Sequence, residues 1–120
     1  MQNKVFLDEN GFVHAEYVGH LTYEKVTETQ KEINALVEKM RKEDKRALVL
    51  VDISKVSGQD MGARRAGFEG MSKIKYDKIA LFGAGIFLKN VVNFVVKAAG
   101  KSGKVRLFTT EKEAGEWLKS

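Results

Sequence analysis

The stretch LVLVDISKVSGQDMGARRAG, Leu48 to Gly67, gathers the residues best suited to chemistry. It has hydroxyls at Ser54 and Ser57, carboxylates at Asp52 and Asp60, and guanidinium groups at Arg64 and Arg65. A serine in such a loop can accept phosphate, and arginines can bind an anion. Nucleophilic catalysis would need a base within hydrogen-bond reach of the serine. The chain's two histidines, His14 and His20, are remote in sequence. His14 reads as a partly exposed strand residue and His20 as a loop residue. Asp52 at a strand end and Asp60 at a helix start both have structural roles open to them, in turn formation and capping. No catalytic constellation emerges.

Two glycine motifs invite a nucleotide reading and fail it. In AAGKSGK the position reserved for the first P-loop glycine is Val95, and Gly-Lys-Ser follows a helix instead of opening one. In LFGAGIF, Gly83 and Gly85 supply only Gly-x-Gly, with Leu88 where the third glycine belongs. A tight strand-to-helix turn is the simpler reading. The chain has no cysteine, which excludes disulfides, thiolate zinc sites and cysteine nucleophiles. Neither a metal nor a cofactor is expected. The net charge of +5 arises from basic residues mixed with acidic ones, as on a solvated helix face, so no nucleic-acid partner is expected. Neither a signal peptide nor a membrane span is recognisable, and a soluble, cytoplasmic protein is the expectation.

These residues must be positioned by the surrounding elements. KVFL and VHAEYVG flank Glu9-Asn10-Gly11, a hairpin pattern. Thr22 is placed to cap a long amphipathic helix, with Val26, Ile33, Val37 and Met40 on its apolar face, running to about Glu43. RALVLVDI and DKIALFG read as strands covered on both faces. Between them Asp60 can cap a helix weakened by Gly62, Gly67 and Gly70. IFLKNVVNFVVKAAG is an apolar helix stopped at Gly100, and KVRLF is a last strand. Thr110 and Glu113 form a capping box ahead of Ala114, Trp117 and Leu118. The order is β-β-α-β-α-β-α-β-α, an α/β fold with a mostly parallel sheet, an N-terminal antiparallel hairpin and helices on both faces. One domain over residues 1–120 is expected. Ligands of such sheets sit beyond the carboxyl ends of the strands. The segments expected there are loops, 54–60 and 83–87.

The helix near residues 87–99 is apolar around most of its circumference. Lys89, Asn90, Asn93 and Lys97 form one narrow polar stripe. Such a helix buries more than one face. Three arrangements would achieve this: packing between the sheet and other helices, a dimer surface, or the wall of an apolar pocket. The expected placement sets the Phe94 face on the sheet and the Phe87–Leu88 end against the 54–60 loop.

Three segments, LVLVDISKVSGQDMGARRAGF, DKIALFGAGIFLKNVVNFVVKAAG and VRLFTTEKEAGEWLKS, carry a resemblance that covers nearly the whole chain. The chain resembles the SpoIIAA-like group of STAS-fold proteins, related to anti-sigma-factor antagonists and compared with the SEC14-like lipid-binding fold. The resemblance implies a regulatory protein. In true antagonists it also implies an Asp-Ser-Ser-Gly segment with a phosphorylated serine at the helix start. Aligned on VDISKVSGQD, that aspartate falls at Asp60, and Met61, Gly62 and Ala63 follow it without a hydroxyl. The usual phosphoacceptor is absent, and Ser54 and Ser57 do not inherit its role.

The reading is a non-enzymatic regulatory binding module for a partner protein or a small apolar or anionic ligand. Its candidate binding residues are Ser54, Ser57, Asp60, Arg64, Gly85 and Phe87. The alternatives are a small hydrolase or transferase using Asp52 or Asp60 with a serine, and a homodimeric structural module.

Overall fold

The computed structural model describes residues 2–120. Its elements are β1 (Lys4–Leu7), β2 (Val13–Leu21), α1 (Tyr23–Lys42), β3 (Leu48–Gln59), α2 (Met61–Lys73), β4 (Lys78–Phe82), α3 (Ile86–Ala98), β5 (Val105–Phe108) and α4 (Glu111–Lys119). The sheet runs β1-β2-β3-β4-β5, with β1 antiparallel to β2 and the remaining neighbours parallel. The two continuous apolar runs thus pair as neighbouring parallel strands, Leu48 opposite Lys78 through Asp52 opposite Phe82.

Alternation along these strands sorts the core into two layers. Val13, Ala15, Tyr17, Val49, Val51, Ile53 and Leu81 face α1, α2 and α3. Leu50, Ala80 and Phe82 point the other way, against Ala114 and Leu118 of α4. A polar residue at any of these inward positions would leave an unpaired group between sheet and helix, which is why both strands lack polar alternation.

Local chemistry sets the boundaries. Thr22 accepts from Lys25 N at the start of α1, Asp60 Oδ1 from Ala63 N at the start of α2, and Thr110 joins Glu113 in a reciprocal capping box. Gly100, at φ 69°, turns the chain out of α3. Lys78 Nζ donates to the carbonyls of Trp117 and Ser120, fixing the end of α4 against β4.

The segment 54–60 departs from its expected loop form. Residues 54–59 continue β3, because β2 also extends, to Leu21, and the two stay paired through Gln59 across two register shifts. Backbone pairing outweighs the low strand preference of a Ser- and Gly-containing run. His14 differs too: it is buried, with the Phe6 ring stacked at 4.7 Å and Asp8 Oδ2 at 3.2 Å from Nδ1.

Candidate functional site

Helix α2 rests mainly on α1 and α3, and neither α2 nor α3 approaches the middle of the sheet closely. Their stand-off leaves a half-open cavity of about 150 Å³. Its floor is Tyr17, Val49, Val51, Ile53 and Leu81 of the sheet, and α1 contributes Val26 and Ile33. Its part-exposed walls include Arg64, Gly67 and Met71 of α2 and Leu88, Val91 and Val92 of α3, which puts the mouth between these two helices. At roughly 24 cal/mol per Å³, a dry space of this size would cost up to about 3–4 kcal/mol of stability. A ligand that fills it recovers part of that.

The glycines of α2 shape this space. Gly70 has no side chain where Gln30 crosses from α1, and Gln30 Nε2 reaches the carbonyl of Ala66 at 2.9 Å. At Gly67 a Cβ would meet nothing within 4 Å. Since Gly67 lines the cavity, a side chain there has open space to enter.

Few polar groups reach the cavity. Tyr17 is 8% exposed, and the side-chain hydrogen bonds of the described residues do not include its hydroxyl. Yet no fully sealed side-chain polar atom among those residues lacks a partner. The hydroxyl is therefore not fully sealed, and Tyr17 is part of the cavity lining. Burial pushes its pKa well above the usual tyrosine value, so it remains a neutral donor at physiological pH. At the rim, Arg64 Nε donates to Gln59 Oε1 at 2.8 Å. That bond orients the guanidinium and leaves its terminal nitrogens able to meet an anion.

Of the sequence-derived candidates, Arg64 lines the cavity. Ser54, Ser57, Asp60, Gly85 and Phe87 are exposed and lie outside its lining. Ser54 Oγ donates to Asp52 Oδ1 at 2.6 Å and its backbone N–H binds the same oxygen, a local turn-like arrangement. Asp60 caps α2, and Gly85 opens α3 without a side-chain cap. The Phe94 face does not pack on the sheet: Phe94 is 73% exposed, and Val95 and Val96 occupy the buried side instead. The helical repeat explains this, since Val95 and Val96 with Leu88 and Val92 fill the inward arc and carry Phe94 outside it. Phe94→Ala is accordingly expected to change stability by less than about 1 kcal/mol, whereas Leu118→Ala, at a fully buried position, should cost about 2–5 kcal/mol. Urea titrations of the two variants check the contrast.

Sequence reasoning missed Tyr17, Gln30, Gln59 and Gly67. The available signal was a tyrosine on the inward face of a strand and a glycine inside a helix. Among the described residues there is no cluster of three or more metal-ligating side chains, and no helix is long and apolar enough to cross a membrane.

A mixed five-stranded sheet of this order, with three helices on one face and one on the other, defines a STAS-type α/β domain. The chain belongs to the SpoIIAA-like family, whose model matches residues 12–119. Among solved structures it is similar to an uncharacterized DUF3478-family protein with a SpoIIAA-like fold from Shewanella loihica PV-4. That match has a TM-score of 0.62 and 18% identity, covering 97% of this chain and 91% of the other. It is also similar to the anti-sigma factor antagonist SpoIIAA in its unphosphorylated form, with a TM-score of 0.62, 14% identity and 98% of each chain covered. No curated protein sequence matches.

Proposed function

We propose that this protein is a regulatory binding module whose ligand is a small amphipathic molecule, an apolar chain or ring bearing an acceptor or anionic head. The observation that carries the reading is the apolar cavity with Tyr17 in its lining and Arg64 at its rim. Aliphatic walls withdraw the apolar part from water at about 25 cal/mol per Å². Tyr17 donates to an acceptor inside, or Arg64 pairs with a carboxylate or phosphate at the mouth. A space near 150 Å³ suits a ligand about the size of benzene, and a longer chain would part α2 from α3.

The SpoIIAA-like fold suits a partner-binding regulator. In this chain Met61, Gly62 and Ala63 present no hydroxyl at the start of α2, so occupancy of the cavity takes the place of phosphate as the switch. A ligand wedged against Gly67 and Leu88 alters how α2 and α3 sit, and with them the surface offered to a partner.

Calorimetric titration with straight-chain carboxylates of increasing length tests this reading. Saturable binding with a negative heat-capacity change is expected. Arg64→Gln should weaken it by about tenfold or more, the worth of a hydrogen bond to a charged group. Tyr17→Phe should weaken it about fivefold. No binding at any chain length, or undiminished binding by both variants, would overturn the reading.

A further inference from the structure

We propose that the groove between α1 and α2 is a second binding site, which takes a small phosphorylated sugar. The two helices run side by side in the same direction. Tyr23 stands beside Gly62 at their starts, and Arg41 Nε donates to the carbonyl of Lys75 near their ends. Between them lies a half-open polar cavity of about 210 Å³. Tyr23, Thr27 and Lys31 follow at intervals of four along one wall, and Glu69 and Lys73 stand four apart on the other. Gly70 gives the groove its depth, because it has no side chain where Gln30 crosses from α1. The space exceeds the roughly 150 Å³ that holds benzene. It shares only Gln30, Gly70 and Ile74 with the apolar cavity, so the two sites lie on opposite sides of one wall.

The groups in the groove name the ligand. The ion pairs among the described residues are His14–Asp8, Arg41–Asp77 and Lys45–Glu43, and they include neither Lys31 nor Lys73. Both lysines are exposed and stand on opposite walls, placed to share one dianion. The other open groups are acceptors. The side-chain hydrogen bonds of the described residues engage the amide nitrogens of Gln30 and Asn34, toward the carbonyl of Ala66 and Glu38 Oε1, and not their oxygens. The Tyr23 hydroxyl donates to Glu69 Oε1 at 3.0 Å, which leaves the second carboxylate oxygen to accept from a ligand. Amide and carboxylate oxygens call for a body rich in hydroxyl donors, and the lysines call for a phosphate. A sugar phosphate supplies both. A polyamine would also donate, but it would meet Lys31, Lys73 and Arg65, whose guanidinium lies 4.7 Å over the Tyr23 ring, against the one carboxylate of Glu69.

Calorimetric titration with ribose 5-phosphate tests the proposal, with ribose and inorganic phosphate as comparison probes. Ribose 5-phosphate is expected to bind saturably, and to weaken as salt screens the lysines. Inorganic phosphate, which lacks the hydroxyl donors, should bind about tenfold less tightly or worse, and ribose not measurably. Lys31→Gln and Lys73→Gln should each weaken ribose 5-phosphate about threefold to fivefold, the range of exposed ion pairs. Asn34→Ala should weaken it about fivefold and leave inorganic phosphate unchanged. None of the three side chains is buried, so thermal melts should match wild type. Amide NMR shifts in the same titration should centre on Thr27, Lys31, Gly70 and Lys73. No saturable binding, an affinity equal to that of inorganic phosphate, or full retention by both lysine variants would overturn the proposal. So would shifts centred on Arg64 and Gly67, because the anion would then sit at the mouth of the apolar cavity.

Discussion

Gly83→Ala is expected to lower stability by about 3–5 kcal/mol, whereas Gly85→Ala, two residues on, should cost less than about 1 kcal/mol. Gly83 ends β4 at φ 90°, a backbone conformation that side chains rarely adopt. An added Cβ would stand 2.6 Å from Ser54 Cβ and 3.0 Å from Ser54 Cα. Relief requires β3 to move, because one of the atoms in the way is backbone. Strain at positive φ and overpacking each cost about 1–3 kcal/mol. Gly85 has φ −70° and open space around its Cβ position, so its cost is limited to a modest change in cap preference. The Gly-x-Gly of LFGAGIF therefore serves a strand-to-helix turn in which the chain passes against Ser54. Denaturant titration of the two variants checks the asymmetry. Similar losses for both would mean that β4 and β3 do not approach as described.

Gly67→Leu is expected to raise stability by about 1 kcal/mol and to abolish ligand uptake. Removing a glycine from a helix interior gains close to 1 kcal/mol from propensity alone. The new side chain enters the apolar space that Gly67 lines, where nothing lies within 4 Å of its Cβ. A substitution that strengthens the protein while removing its binding separates the cavity's role from a folding defect. A helix selected only for stability would have no reason to keep a glycine facing open apolar space. Melting curves paired with carboxylate titration are the check. A Gly67→Leu protein that binds as wild type would place the ligand elsewhere.

Much of the fold was legible from residue patterns because local chemistry and tertiary packing agree. Asp60, Thr22 and the Thr110–Glu113 pair cap the helices they were expected to cap. The continuous apolar runs Ala47–Val51 and Ile79–Phe82 lie in neighbouring parallel strands, as unbroken apolar character requires. What was illegible depends on relations between distant segments. Extension of β3 through Ser57 and Gly58 depends on β2 supplying partners as far as Leu21. The exposure of Phe94 could not be read from composition. An apolar circumference shows that a helix has more apolar surface than one face can bury, but not which side lies uncovered. The cavity depends on how far α2 stands off the sheet. Gly67 and Gly70 were visible only as weak points in a helix, and Tyr17 only as an inward strand residue.

In the proposed function, an amphipathic ligand occupies the space between α2, α3 and the sheet. Methyl NMR of the protein titrated with a straight-chain carboxylate tests it most directly. Saturable shifts are expected at Val51, Ile53, Leu81, Leu88, Val92 and Val95, residues that line the cavity, and no such shifts in Gly67→Leu. Shifts confined to the exposed methyls of Ile86 and Met61, with the interior silent, would contradict it.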